Sequence, residues 1–301
     1  MEKDFGQEIT LLLNEKYGGQ MTEEAKEDIG RIRAGEPVDY VIGWTEFLGC
    51  KIDLSARPFI PRTETEYWVE KAIDDVRADV FSGALPHISP AGSTWAPTRL
   101  RKNIGTDIGF TYVSPKISIP LRSRMPLREN RGTPIKCLDL FAGSGCIGIA
   151  VLKYIPWAKV DFAEKGKKFL KQIEINTKLN GIAPERYRIV QSDVFSNVKG
   201  KYDYILANPP YIPQKSKHQV EESVLQWEPH GALFGGEDGL DYVRILIEQG
   251  RDHLNEGGKI YVEFDSPTKK DVEEILLKQK LLYCFCKDQF GKWRYVVVER
   301  E

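Results

Sequence analysis

The chain has 301 residues, 41% of them hydrophobic and 29% charged, with 43 basic and 44 acidic side chains and a net charge of −1. This is the make-up of a soluble protein with an ordinary core, and the length allows two domains. No apolar run approaches the ~18 residues that span a bilayer. Met1-Glu2-Lys3-Asp4 begins no signal-peptide core, and the five cysteines fit reduced thiols in apolar patterns, so a cytoplasmic location is expected. Cys284 and Cys286 alternate along one strand with no His or further Cys nearby, and no metal site is expected.

Two short helical patterns come first, over 7–16 and 23–34, with Thr22 as cap of the second and Gly18-Gly19 between them. Residues 43–54 read as a small hairpin leading to Ile60-Pro61-Arg62, and 64–76 as a linking helix. Residues 85–134 differ in kind. They carry seven prolines, no sustained period, and eight basic residues against two acidic ones. Such a stretch is a loop or arm. Its charge would permit weak contact with RNA, and the plainer reading is a tolerated surface insertion.

A strand over 135–140 then runs into the turn Phe141-Ala142-Gly143-Ser144-Gly145-Cys146 and an apolar helix over 147–154. Strand, small-residue turn and helix N-terminus together form a cradle that favours a polar ligand group. The same residues match a dinucleotide-binding pattern. Asp139 separates the two readings, because a carboxylate there repels a pyrophosphate but suits a cationic amino-acid moiety such as that of S-adenosylmethionine. A second strand over 158–162 ends at Ala163-Glu164, where Asp161 or Glu164 would grip ribose hydroxyls. A third, over 187–191, ends at Ser192-Asp193-Val194, placed to meet an adenine amine and cover its ring.

The fourth strand, Tyr204-Ile205-Leu206-Ala207, stops at Asn208-Pro209-Pro210-Tyr211. Ligands of open α/β sheets lie beyond the carboxyl ends of strands. Prolines fix the backbone and leave bare carbonyl acceptors. An amide oxygen, a carbonyl and an aromatic ring suit a planar –NH2 group: two acceptors for its two N–H bonds, and a ring against its face. Beyond it come a helix over 240–254, a strand over 259–264, a helix over 269–279 and an antiparallel pair over 281–286 and 292–299. The pattern is that of a class I S-adenosylmethionine-dependent methyltransferase, a Rossmann-like α/β fold of seven strands closed by a C-terminal antiparallel hairpin.

Three further segments join Asn208-Pro209-Pro210-Tyr211-Ile212-Pro213. They are Phe59-Ile60-Pro61-Arg62-Thr63-Glu64-Thr65-Glu66, Trp227-Glu228-Pro229, and Leu233-Phe234-Gly235-Gly236-Glu237-Asp238-Gly239-Leu240. Over roughly 37–301 the chain resembles the protein-glutamine N5-methyltransferases that modify class-1 peptide-chain release factors. Asn-Pro-Pro-Tyr alone is shared with adenine-N6 methyltransferases of nucleic acid; the flanks are similar to the glutamine-modifying branch.

The resemblance implies S-adenosylmethionine lying across Phe141, Ala142, Gly143, Ser144 and Gly145, with Asp139, Glu164, Asp193, Val194 and Asn208 around it. It implies that Asn208, Pro209, Pro210 and Tyr211 hold the reacting amide, and that Arg62, Glu64, Glu228 and Pro229 meet the substrate. The implied partner is a class-1 release factor, bound by a monomer. Four parts are expected: a short helical domain for substrate recognition (1–48), a hairpin and linker helix (49–84), the insertion (85–134) and the catalytic domain (135–301). Phe141 departs from the family, which has glycine there. Glutamine methylation of a ribosomal protein is the nearest alternative, adenine-N6 methylation a more distant one.

Overall fold

A computed structural model describes residues 5–82 and 134–300, so that all of the 85–134 segment except Pro134 lies outside the described residues. Three helices come first: α1 (Gly6–Tyr17), α2 (Glu23–Arg33) and α3 (Val38–Ile42). Leu12, Ile29, Ile32 and Val41 close a small core of their own. Thr22 caps α2, accepting from the Ala25 N–H at 3.1 Å. The glycine pair ends α1: Gly18 and Gly19 take φ of 60° and 81°, and the Gly19 N–H returns to the Leu13 carbonyl at 2.9 Å. Left-handed backbone of this kind is what glycine supplies at a helix end.

The hairpin follows as β1 (Trp44–Phe47) and β2 (Cys50–Asp53), then α4 (Thr63–Ser82). The 48/49 boundary expected between parts falls in the hairpin turn. Phe47, Cys50 and Ile52 of the hairpin and Trp68, Val69 and Ala72 of α4 belong to the same hydrophobic cluster as one face of the main sheet.

That sheet contains β3 (Ile135–Leu140), β4 (Ala158–Glu164), β5 (Tyr187–Gln191), β6 (Tyr202–Ala207), β7 (Leu254–Glu263), β8 (Leu282–Lys287) and β9 (Trp293–Glu299). Their spatial order is β5-β4-β3-β6-β7-β9-β8, with β9 antiparallel to both neighbours. The order reverses between β3 and β6, where a crevice opens at the carboxyl edge. Helices α5 (Cys146–Tyr154) and α6 (Lys167–Leu179) join α4 on one face, and α8 (Asp241–Gln249) and α9 (Lys269–Gln279) cover the other. With both faces covered, β3 and β6 are apolar on both sides, which is why they read as continuous hydrophobic runs. Gly148 in α5 permits close packing, since a Cβ there would lie 2.3 Å from Phe162.

Sequence patterning finds neither α3, α6 nor the short α7 (Glu222–Trp227). Helix α6 escapes because its inward face is polar. Gln172, Asn176 and Asn180 recur every fourth residue and take the free edge of β2. The Asn180 amide bonds the Lys51 N–H and carbonyl at 3.1 and 2.8 Å, and Asn176 does the same for Asp53 at 2.8 and 3.1 Å. Gln172 accepts from the Ala56 N–H at 2.8 Å. Buried polar groups in a fully bonded set of this kind hold position rather than face solvent. Among the described residues, no helix is long and apolar enough to cross a membrane.

Asp28 organises the N-terminal helices, accepting from Lys16 and Tyr17 at 2.7 Å each and from Arg31 at 2.7 Å. Burial acts to raise its pKa, but the bonds from Lys16, Tyr17 and Arg31 outweigh it and the net value lies below the ordinary aspartate range. A folded-state value below the unfolded one gives stability that is complete above the unfolded pKa and is lost as pH falls through the folded one. Asp28→Asn is therefore expected to cost about 1–3 kcal/mol near pH 7. The gap should shrink below about pH 4, where aspartate begins to protonate. Urea melts at the two pH values check this; an equal gap at both would assign the effect to shape rather than charge.

Candidate active site

At the carboxyl edge of the sheet, between β3, β4 and β6, lies a cavity of about 270 Å³. Its walls include Phe141, Ala142, Gly143, Ser144, Glu164, Asp193, Val194, Asn208, Pro209, Pro210, Tyr211 and Pro229. The turns after four strands, distant in sequence, thus meet around one space.

The turn after β3 is shaped by backbone. Gly143 and Gly145 are left-handed, with φ of 53° and 81°, and Gly145 precedes the first turn of α5. Phe141 is left-handed too, at φ 62°, as is Val194 at 49°. Such a conformation costs a residue with a Cβ about 1–2 kcal/mol. This explains why glycine suits the Phe141 position. Here the ring packs edge-on against Tyr242, centroids 5.2 Å apart, and both line the cavity.

Of Asp161 and Glu164, Glu164 is the one that lines the cavity. Asp161 is held by Arg188 at 2.6 Å and by the Tyr202 hydroxyl at 2.7 Å, away from the cavity. Glu164 lines it, with Oε2 accepting from the Gly143 N–H at 2.8 Å and Oε1 from the Gly166 N–H at 2.7 Å. Burial pushes its carboxyl up against the pull of those N–H groups. Asp193 makes an exposed ion pair with Lys165 at 2.8 Å.

Asp139 is placed differently from expectation. It is fully buried under the turn and does not line the cavity. Its Oδ2 accepts from the Gly148 N–H at 2.8 Å, bracing strand against helix, while Oδ1 has no partner among the described residues. Burial holds its carboxyl well above the usual range. Gly145 likewise shapes the turn without lining the space.

The four positions named for substrate contact behave unequally. Pro229 lines the cavity. Arg62 and Glu228 pair with each other, and Glu228 also accepts from the Ile60 N–H at 3.2 Å. The Arg62 guanidinium lies 4.7 Å from the centre of the Phe59 ring, so the pair fastens the segment before α4 to the loop after α7 and shapes the wall. Glu64 takes the Thr63 hydroxyl at 3.1 Å and does not line the cavity. His218 and His230 are exposed and stand outside it.

Asn208 lines the cavity. Its Nδ2 donates to the Thr65 Oγ1 at 3.0 Å, and its Oδ1 has no partner among the described residues. Thr65 donates in turn to Oε2 of Glu263 at 2.7 Å. Trp68 donates to the same oxygen at 2.6 Å, and the Tyr211 hydroxyl to Oε1 at 3.0 Å. Burial and the neighbouring Glu263 charge hold the Tyr211 phenol well above its ordinary pKa, so it stays protonated. Thr65, Trp68 and Glu263 escape sequence reasoning as site residues. Thr65 stands in a segment already notable for its resemblance. Glu263 is one more polar residue at the end of an apolar strand, the signal that marks the other four.

The Gly-Gly-Glu-Asp-Gly-Leu segment buttresses this loop. A Cβ on Gly235 would lie 2.4 Å from the Pro210 carbonyl oxygen, and one on Gly239 2.3 Å from that of Tyr211. The Ile212 N–H donates to the Leu233 carbonyl at 2.9 Å, and the Gly235 N–H to the Ile212 carbonyl at 3.0 Å. Glycine is required here for close approach.

The residues fit the nucleoside donor implied by the motifs. Apolar Leu140, Phe141, Ile147 and Val194 offer a wall for a base, and carboxylates of Glu164 and Asp193 suit hydroxyl and amine donors. The lysine of this wall is already paired with Asp193, so the charge suits a cationic nucleoside rather than a pyrophosphate.

Residues 123–230 match the family described as methyltransferase small domain. The chain is 31% identical over 285 residues to the release factor glutamine methyltransferase of Streptococcus pneumoniae, spanning 92% of this chain and 81% of that one. It is 27% identical over 290 residues to the enzyme of the same name from Lactococcus lactis (96% and 86%), and 29% over 282 residues to that of Bacteroides thetaiotaomicron (92% and 81%). With these relatives matched along most of their length and the site assembled as described, the chain belongs to the release factor glutamine methyltransferase family.

Proposed function

We propose that this chain methylates the side-chain amide nitrogen of the glutamine in the Gly-Gly-Gln motif of a class-1 peptide-chain release factor. It is an S-adenosylmethionine-dependent methyltransferase; the substrate assignment takes up the names of its relatives. The observation that carries it is the Asn208 carboxamide, whose donor side is engaged by Thr65 while its acceptor oxygen is left for a ligand.

When bound, S-adenosylmethionine supplies an electrophilic methyl group on a sulfonium. Glu164 would hold the ribose, Asp193 and Val194 the adenine, and the Phe141–Gly145 turn the amino-acid end. The amide nitrogen of glutamine is a poor nucleophile, its lone pair delocalised into the carbonyl. The chain meets this by positioning. Oδ1 of Asn208 accepts one N–H of the amide. The Pro210 carbonyl faces Gly235, which leaves the carbonyl of Pro209 as the acceptor we assign to the other. Tyr211, held by Glu263, walls the amide plane. Orientation of this kind supplies up to ~7–11 kcal/mol of barrier lowering.

Two outcomes are expected. Asn208→Ala should abolish transfer to a purified release factor while leaving donor affinity within a few fold, since it removes an interaction made in the transition state. Turnover above about a tenth of wild type, measured with labelled donor, would sink the positioning mechanism. Release of label onto ribosomal protein or DNA, with none on release factor, would move the substrate assignment elsewhere. Glu164→Ala should weaken donor binding by about 1–3 kcal/mol, the worth of charged hydrogen bonds. Unchanged affinity by calorimetry would mean that another group holds the ribose.

A further inference from the structure

A carboxamide can enter a site in either of two orientations, and only one of them presents oxygen to a substrate –NH2. We propose that Thr65, which borders the cavity beside Asn208, and Glu263 behind it set this orientation and act through Asn208 as positioning residues for the transfer. The inference rests on the reading of Asn208 as the residue that accepts the substrate amide.

The order of donors and acceptors starts at Trp68. An indole N–H can only donate, so the Glu263 oxygen it meets at 2.6 Å, Oε2, must accept. Thr65 meets the same oxygen at 2.7 Å and therefore spends its single hydroxyl proton on it. The Thr65 oxygen is left able only to accept toward Asn208. The amide group facing it at 3.0 Å must then be –NH2, and Oδ1 must face away from Thr65, toward the substrate space. The reverse orientation would set the Asn208 oxygen against a hydroxyl with no proton to give, or would take that proton from Glu263 and leave two oxygens facing each other at 2.7 Å. Burial sharpens the choice. Trp68 is fully buried and Glu263 is 1% exposed, so the carboxylate oxygen that Thr65 meets takes its donors from the protein. Both oxygens of Glu263 are engaged, since Tyr211 donates to Oε1.

The consequence is a selectivity device. With Oδ1 outward the site receives a donor; with –NH2 outward it would repel the substrate amide. Thr65→Val keeps the shape and removes the polarity, leaving Asn208 free to rotate. It is expected to lower kcat about 10- to 100-fold, the scale of a misplaced reacting group, with donor affinity and melting temperature near wild type. Thr65→Ser should restore kcat to within a few fold. Glu263→Gln should also retain most turnover, because its amide oxygen takes Trp68 and Thr65 while its –NH2 faces the Tyr211 oxygen. Glu263→Met should lower kcat as Thr65→Val does, and should also lower the melting temperature, because Trp68 and Tyr211 lose their acceptor.

Asn208→Ala, assayed in parallel, separates the two claims. If it is inactive while Thr65→Val turns over like wild type, the orientation role is overturned and the Asn208 reading stands. If Asn208→Ala is active, both fall. A Thr65→Val protein that loses stability but keeps its kcat would show Thr65 to be merely structural, as would a Thr65→Ser protein no more active than Thr65→Val.

Discussion

One buried carboxylate ties this molecule together. Glu263, at the end of β7, receives Thr65 and Trp68 from α4 and Tyr211 from the loop after β6. An ionised group in so dry a place is costly unless its lone pairs are met. Three convergent donors and the positive charge of Arg294 answer that cost, although burial still holds the carboxyl above its ordinary pKa. The sheet edge, the helix that precedes it in the chain and the substrate loop are therefore not independent. On the reading proposed above, Asn208 is oriented only when α4 is docked on the sheet, so α4 completes the site rather than merely flanking it.

The same dependence recurs on the donor side of the cavity. Helix α6 binds the hairpin edge through Gln172, Asn176 and Asn180, and the Asn176 amide also donates to the Ser144 carbonyl at 2.9 Å. A single side chain thus links β2, α6 and the turn expected to cradle the cofactor. The Arg62–Glu228 pair makes a third seam, between the segment leading into α4 and the loop after α7. These seams explain why a long segment between α4 and β3 does not dissolve the architecture.

Much of this could be read from sequence because buried parallel strands write themselves as apolar runs, and the polar residue that stops each run marks the ligand edge. Glu164, Asp193 and Asn208 were legible in that way, and so was Thr22 as a cap. The misreadings have a common cause. A polar residue does not say from sequence whether it meets a ligand or the protein: Asp139 braces α5 from beneath, Arg62 and Glu228 bond each other, and the polar stripe of α6 faces a strand edge. The link from Thr65 to Glu263 spans 198 positions. No local pattern carries a contact of that separation; it exists only once α4 lies across the sheet.

The commitments of the polar groups around the cavity bear on how it works. Its carboxylates have partners: Glu164 two backbone N–H groups, Asp193 the Lys165 ammonium and, behind the wall, Glu263 three side chains. The Tyr211 phenol is held protonated by burial and the nearby negative charge. Among the described residues lining the cavity there is no histidine. None of these groups is arranged to take a proton from an amide, whose nitrogen would in any case resist an ordinary base. On the reading proposed above, the polar network fixes a direction, with Asn208 donating to Thr65 and Thr65 to Glu263, away from the cavity. A neutral acceptor with a fixed orientation serves an amide better than a charged one. It aligns the N–H bonds without requiring the nitrogen to ionise, and it does so at no cost of reorganisation when the methyl group moves.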